Sequence, residues 1–178
     1  MTTLINILTL SRILLAAVIF VLLMSPEGYL LALVLFFLAG VTDYFDGYLA
    51  RKYNAASQLG EILDPIADKI LILFVLFGLA INLSSYLIGF IGALVITREI
   101  WVGALRDLNA RNGKSDATKV TFLAKIKTTV QLFTLTIYLI GLTSNQMLLI
   151  IIGDLFLFIS LFITIFTGYI YTINSFKN

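Results

Sequence analysis

Four carboxylates sit close together in the chain: Asp43-Tyr-Phe-Asp46-Gly47-Tyr-Leu-Ala50-Arg51, eight further residues, then Gly60-Glu-Ile-Leu-Asp64-Pro-Ile-Ala-Asp68. Both segments otherwise read as membrane helices, where an aspartate costs about 2.5–3.5 kcal/mol near the helix centre. Four of them would cost about 10 kcal/mol if simply added. Something must compensate, and bound cations are the obvious candidate. Asp43 and Asp46 are spaced i, i+3, and Asp64 and Asp68 are spaced i, i+4, so each pair lies on one helix face. Four carboxylates converging from two helices supply enough oxygen for two divalent cations. Paired metals about 3.5–4 Å apart can clamp a phosphoryl group and stabilise its attacking and leaving oxygens. Gly47, Ala50 and Gly60 leave room for a flat or phosphorylated group to approach the backbone, and Arg51 is a suitable phosphate partner. Tight helix packing is the alternative role for the two glycines, and a cytoplasmic-boundary charge is the alternative for Arg51.

The composition narrows the chemistry further. Of 178 residues, 60% are hydrophobic and 12% charged, which points to an integral membrane protein. The absence of cysteine excludes disulfides and thiolate metal sites, and the absence of histidine excludes Ser-His-Asp, Cys-His and His-ligated metal chemistry. Any metal must then sit on oxygen, which favours Mg²⁺ or Mn²⁺. Any general base must be a carboxylate, lysine or tyrosine. A net charge of +2 without a basic patch argues against nucleic acid as a partner.

Six apolar stretches are long enough to position these groups: roughly 4–24, 29–51, 59–82, 86–107, 119–141 and 147–172. The run from Ile13 to Met24 could pass for a signal peptide. It ends in Ser25-Pro26-Glu27-Gly28 without a small-x-small cleavage pattern, so it is expected to be the first membrane helix. Connections at 25–28, 82–85 and 143–146 lack Lys and Arg, whereas those near Arg51-Lys52 and from Arg106 to Lys119 are basic. The positive-inside rule places both termini and the basic loops in the cytoplasm. Helices two and three then run antiparallel, with Asp43 and Asp68 at one depth on the cytoplasmic side of the midplane. Pro65 lies between the second pair of aspartates and removes a backbone donor there. Gly113 is the expected turn of the polar loop 109–116. The expected fold is an all-α membrane protein, a single domain over 1–178. Its six transmembrane helices form a bundle around a metal-lined cavity open to the cytoplasm.

The spacing of Asp43, Asp46, Gly47, Ala50, Arg51, Gly60, Asp64 and Asp68 resembles the signature of the CDP-alcohol phosphotransferases, with every fixed position filled. The resemblance extends to Asn6-Ile-Leu-Thr9-Leu-Ser-Arg12, to Thr97-Arg98-Glu99-Ile100 and to Lys125-Ile-Lys127-Thr128-Thr-Val-Gln131. These segments are similar to the extra elements of the phosphatidylglycerophosphate synthase branch. One departure is Ala124, where that branch would have glycine. The resemblance runs from about 6 to 131, and the sixth helix adds nothing specific to it.

The resemblance implies a donor, CDP-diacylglycerol, and an acceptor, sn-glycerol 3-phosphate. It implies that the acceptor hydroxyl attacks the phosphorus that carries diacylglycerol and that CMP leaves. Asp43, Asp46 and Asp64 would hold two divalent metal ions, Mg²⁺ or Mn²⁺. Asp68 would complete the metal site and take the hydroxyl proton. Asp43, Asp46, Gly47, Ala50, Arg51 and Gly60 would bind the donor. Membrane lipids are further expected partners, as is a second copy in a homodimer.

An acceptor phosphate needs its own cations. Arg98, Arg106, Lys125 and Lys127 are the candidates, since cations inside a membrane are functional by default. The alternative for Arg98, Lys125 and Lys127 is snorkelling to the interface. Lys125 and Lys127 are two residues apart and cannot share a helix face, so one of them is expected to be central. Asp154 is expected to serve helix packing or a dimer contact, and Trp101 to act as an interfacial anchor. Two rivals stand against this reading. One is another family branch, with an inositol, inositol phosphate, serine or phosphatidylglycerol acceptor. The other is a divalent-cation transporter, which leaves Gly47, Ala50, Arg51 and Gly60 unexplained.

Overall fold

In the computed structural model, which describes residues 2–53, 58–119 and 121–177, the chain is helical throughout. Six α-helices are present among these residues: α1 (Thr2–Leu22), α2 (Tyr29–Tyr53), α3 (Gln58–Asn82), α4 (Tyr86–Arg111), α5 (Phe122–Ser144) and α6 (Met147–Phe176). Short 3₁₀ turns at Pro26–Gly28 and Ser115–Thr118 precede α2 and α5. The helix order follows the apolar pattern of the sequence. α4 and α6 run four residues further than expected, to Arg111 and Phe176, and α5 begins at Phe122 rather than near 119. Thr121 caps it, its side chain accepting from the Ala124 amide, because four orphan amides at a helix start need an oxygen partner.

Among the described residues, four segments are long and apolar enough to cross a membrane: Pro26–Asp43, Tyr86–Arg111, Asp116–Ser144 and Met147–Phe176. In α1 the uninterrupted apolar part, Ile7–Leu22, is shorter. The amino-terminal half of α3 carries Glu61, Asp64, Asp68 and Lys69, which lowers its hydropathy. α1 and α3, the two helices that fall short, carry Thr9, Arg12, Asp64 and Asp68 of the carboxylate cluster described below, to which α2 adds Asp43. The protein is an integral, all-helical membrane protein.

The connections are tight. Asn145 closes α5 in the left-handed conformation (φ +53°), with its amide bonded to the carbonyls of Gly141 and Leu142. Gly113 has φ +69° and forms the turn after α4, as the loop composition predicts. Pro65 lies within α3, and the helix continues past it.

α3 lies at the centre, packed against α1, α4 and α5, while α6 lies along α5 and α4. The core is built from Ala16 and Ile19 of α1 and Leu23 just past its end, Val75 and Leu79 of α3, and Tyr138 and Leu139 of α5, all fully buried. The exterior is apolar, with Leu14, Leu30, Phe162 and Met147 largely exposed. Thr134, Ser160, Thr164 and Thr167 are buried between helices. Apolar outside and small polar inside is the arrangement of a bundle solvated by lipid, where hydroxyls bond across or along helices. Asp154 follows the same logic: it accepts from the Tyr138 hydroxyl at 2.6 Å and ties α6 to α5.

Candidate active site

The carboxylates meet on α1. Arg12 Nη1 lies 2.8 Å from Asp43 Oδ1 and 2.7 Å from Asp68 Oδ1, and Thr9 Oγ1 donates to Asp64 Oδ1 at 2.7 Å. One guanidinium nitrogen touching both Asp43 and Asp68 puts α2 and α3 at a common depth, as antiparallel helices of this spacing should. The i, i+3 step from Thr9 to Arg12 places both donors on one face of α1, directed at α2 and α3. The Arg12 side chain has no exposed surface, while those of Asp43 and Asp68 are 46% and 43% exposed. The cation is therefore buried behind carboxylates that still face open space. A buried arginine is tolerated only when paired, and the sequence marks Arg12 as part of a family segment without pointing to this pairing. The signal that could have found it is a single ionisable residue inside an apolar helix, for which a partner should be sought.

A second cluster lies across α3. A cavity of about 210 Å³ is bounded by Asp68 and Lys69 of α3, Arg98, Glu99 and Arg106 of α4, and Lys127 of α5. It is smaller than the roughly 300–1,000 Å³ that drug-sized ligands occupy, which suits a small polar molecule. Asp68 belongs to both places: it pairs with Arg12 on one side and lines this cavity on the other. Arg98 is held by α6. Its Nε donates to the Thr164 carbonyl at 3.3 Å and its Nη2 to Thr167 Oγ1 at 2.9 Å. The guanidinium carbons of Arg98 and Arg106 lie 5.6 and 5.8 Å from the centroid of the Tyr171 ring, within cation–π range. Gly168 allows this approach, because a Cβ there would come 3.1 Å from Arg98 Cγ.

A model of the family described as CDP-alcohol phosphatidyltransferase matches residues 2–166. The chain belongs to the CDP-alcohol phosphatidyltransferase family. Relatives named CDP-diacylglycerol–glycerol-3-phosphate 3-phosphatidyltransferase match along most of its length. The protein of that name from Rickettsia bellii is 42% identical over 148 residues, covering 83% of this chain and 80% of the relative. The one from Rickettsia typhi is 38% identical over 169 residues, 93% of each chain. The one from Salmonella choleraesuis is 34% identical over 132 residues, 73% of this chain and 72% of the relative. The family match reaches well into α6, beyond the residue 131 at which the motif resemblance stops.

Within this CDP-alcohol phosphatidyltransferase the predicted site residues divide into three groups. Asp43, Asp64 and Asp68 are brought together through Thr9 and Arg12. Arg98, Arg106 and Lys127 share one cavity with Asp68. Lys125, by contrast, is exposed and does not line that cavity, whereas Lys127 is buried. Two residues along a helix rotate the side chain by about 200°, so only one of the two lysines can face inward. Gly60 is buried. The side chains of Asp46, Gly47, Ala50 and Arg51 lie outside the described residues, so their predicted roles have no geometry here. Glu99 received no role from the sequence, yet it sits among the cavity cations.

The donor set suits a hard divalent cation. It offers carboxylate oxygens from two helices, and a guanidinium already occupies a cation's place between Asp43 and Asp68. Among the described residues no three acidic side chains group tightly enough to form a metal cage by themselves, and the Asp46 side chain is not among those described.

Proposed function

We propose that this protein transfers the phosphatidyl group of CDP-diacylglycerol to sn-glycerol 3-phosphate, giving phosphatidylglycerophosphate and CMP. The observation that carries the acceptor assignment is the shared cavity. Arg98, Arg106 and Lys127 line the same small space as Asp68. A phosphorylated acceptor needs convergent cations beside the base, and an uncharged acceptor such as serine or inositol does not. The names carried by the Rickettsia and Salmonella relatives support the same donor and acceptor.

The proposed chemistry joins the family resemblance to the described geometry of Asp43, Asp64, Asp68 and the cavity cations. Asp43, Asp46, Asp64 and Asp68 would hold two divalent ions, Mg²⁺ or Mn²⁺. When bound, these ions supply positive charge that neutralises the donor's diphosphate as the transferred phosphorus is attacked. Arg98 and Lys127, with Arg106 at the rim, bind the acceptor phosphate and so aim its free primary hydroxyl towards Asp68. Asp68 accepts the hydroxyl proton as the new oxygen–phosphorus bond forms. The bond to the CMP oxygen breaks, and CMP leaves carrying that electron pair. By the family resemblance, Gly47, Ala50, Arg51 and Gly60 would bind the cytidine diphosphate of the donor. An apolar groove of about 450 Å³, lined by Phe36, Phe37, Gly40, Val41 and Phe45 of α2 with Leu132 of α5, begins beside Asp43 in the sequence. It supports a lipid donor, since acyl chains can lie there while the diphosphate reaches the carboxylates.

In this reading all six helices span the membrane, α1 and α3 by virtue of buried charge pairs. Both termini and the site face the cytoplasm, where acceptor and CMP are soluble. The chain is a single domain and pairs as a homodimer.

The decisive experiment is an acceptor screen on purified protein with CDP-diacylglycerol and Mg²⁺ or Mn²⁺. CMP release is followed with sn-glycerol 3-phosphate, inositol phosphate, serine or phosphatidylglycerol. Release with glycerol phosphate above the others is expected. No CMP with glycerol phosphate overturns the assignment. CMP with inositol phosphate instead moves the protein to another branch of the family.

A further inference from the structure

Three cations converge on one carboxylate inside the acceptor cavity. Glu99 Oε1 accepts from Arg98 Nη1 at 2.9 Å and from Lys127 Nζ, and Lys69 Nζ lies 3.6 Å from Glu99 Oε2. The side chains of Arg98 and Lys127 are 9% and 8% exposed, and that of Glu99 is 16% exposed. Glu99 lines the cavity together with all three cations. Arg98 also donates from Nε to the Thr164 carbonyl and from Nη2 to Thr167 Oγ1 of α6. An anion entering this cavity therefore meets cations that already have a charged partner, and that partner faces the same space.

We propose that Glu99 determines acceptor specificity by standing where the acceptor's phosphate binds, so that only an anion stronger than a carboxylate displaces it from Arg98 and Lys127. The inference rests on the reading of a phosphorylated acceptor given above. Buried cations need a partner before substrate arrives, and Glu99 supplies one while holding Arg98 of α4 and Lys127 of α5 in register. A phosphomonoester brings a charge of about −1.5 to −2 and three acceptor oxygens. Glu99 brings a single charge and two oxygens. The exchange therefore favours the phosphomonoester. A neutral polyol has no charge to exchange and leaves Glu99 in place. Discrimination by an internal competitor is a form of specificity through a difference in affinities, and it excludes uncharged alcohols without any steric block.

The test uses Glu99→Gln, which removes the charge and keeps the size, with inorganic phosphate as the probe. Two constants are measured on detergent-purified protein: inhibition or calorimetric binding by inorganic phosphate, and the KM for sn-glycerol 3-phosphate. Both are expected to fall about tenfold, equivalent to 1.4 kcal/mol, while the KM for CDP-diacylglycerol changes less than about twofold. Glu99→Asp, which keeps the charge and withdraws it by one methylene, should shift both constants the same way by a smaller factor. It decides the matter if the Gln variant is not monodisperse. Weaker or unchanged phosphate binding in these variants overturns the proposal and makes Glu99 a purely structural partner. Failure of the reading beneath it looks different: the wild-type protein would release no CMP with glycerol phosphate, whereas phosphate binding would still report on Glu99.

Discussion

The carboxylate cluster and the cationic cavity meet at Asp68 of α3, and they are built in opposite ways. The carboxylates come from two helices adjacent in the chain, joined by a short connection, at fixed helical spacings. Their one described cation, Arg12, is buried behind them. In the cavity the cations come from α3, α4 and α5, with α6 as support, and Glu99 sits among them, paired with Arg98, Lys127 and Lys69. Each side thus holds an internal counter-ion of the sign its ligand would carry. Arg12 stands among carboxylates suited to metals, and Glu99 among cations suited to a phosphate. A membrane interior that penalises unpaired charge makes such stand-ins necessary in the ligand-free protein. Asp68 touches both sides, and in the proposed reaction it would be the group through which the two halves act.

The sharpest way to break this comparison is at Asp68. Asp68→Asn should lower turnover by about 10²–10⁴-fold, the range for removing a general base, while metal and nucleotide binding persist in part. Unchanged turnover in a CMP-release assay would remove Asp68 as the base. Next come the cavity cations. Lys127→Ala or Arg98→Ala should raise the KM for glycerol phosphate about 10–100-fold, the loss expected for one buried charge contact. The KM for CDP-diacylglycerol should move far less, and equal effects on both substrates would erase the division into two sides.

Arg12→Gln addresses the other side. Without the guanidinium, Asp43 and Asp68 repel each other, so the metal-free protein should melt several degrees lower in detergent. The Tm gain on adding Mn²⁺ should exceed that of the wild type, because the ion then relieves more repulsion. A Tm gain equal to or smaller than the wild type would mean that Arg12 is only a packing residue. The smallest effect belongs to Lys125→Ala. Its side chain is exposed and off the cavity, so the KM for glycerol phosphate should shift less than about twofold, within the small range for exposed charges. A shift as large as that for Lys127 would show that the cavity extends further than its described walls.

Particular residues show how much of this was legible beforehand. The helix order and the shared depth of Asp43 and Asp68 could be read from apolar run lengths and 3.6-residue periodicity, both of which are local. Gly113 could be read because a positive φ favours glycine. Of the two lysines, spacing said that one would face inward, but only the packing of α5 against α6, α2 and α3 chose Lys127. Thr9 and Arg12 were visible as interruptions of an apolar run, yet nothing local tied them to Asp64, Asp43 and Asp68 more than 30 residues away. Glu99 looked like one charge in a motif, and its role depends on Lys127, 28 residues further on. In α6, Thr164, Thr167, Gly168 and Tyr171 read as ordinary membrane-helix residues, because hydroxyls and glycine are common there.

By itself, then, the sequence determined the class of protein, the helices, the oxygen-only chemistry and the one-face geometry of each aspartate pair. These follow from composition and from the pitch of a single helix. Tertiary structure alone decided which charges meet: Arg12 with the carboxylates, and Glu99 with Lys127, Arg98 and Lys69. Pairing between helices depends on how each is rotated against its neighbours, and that rotation is set by the packing of the whole bundle rather than by any one segment.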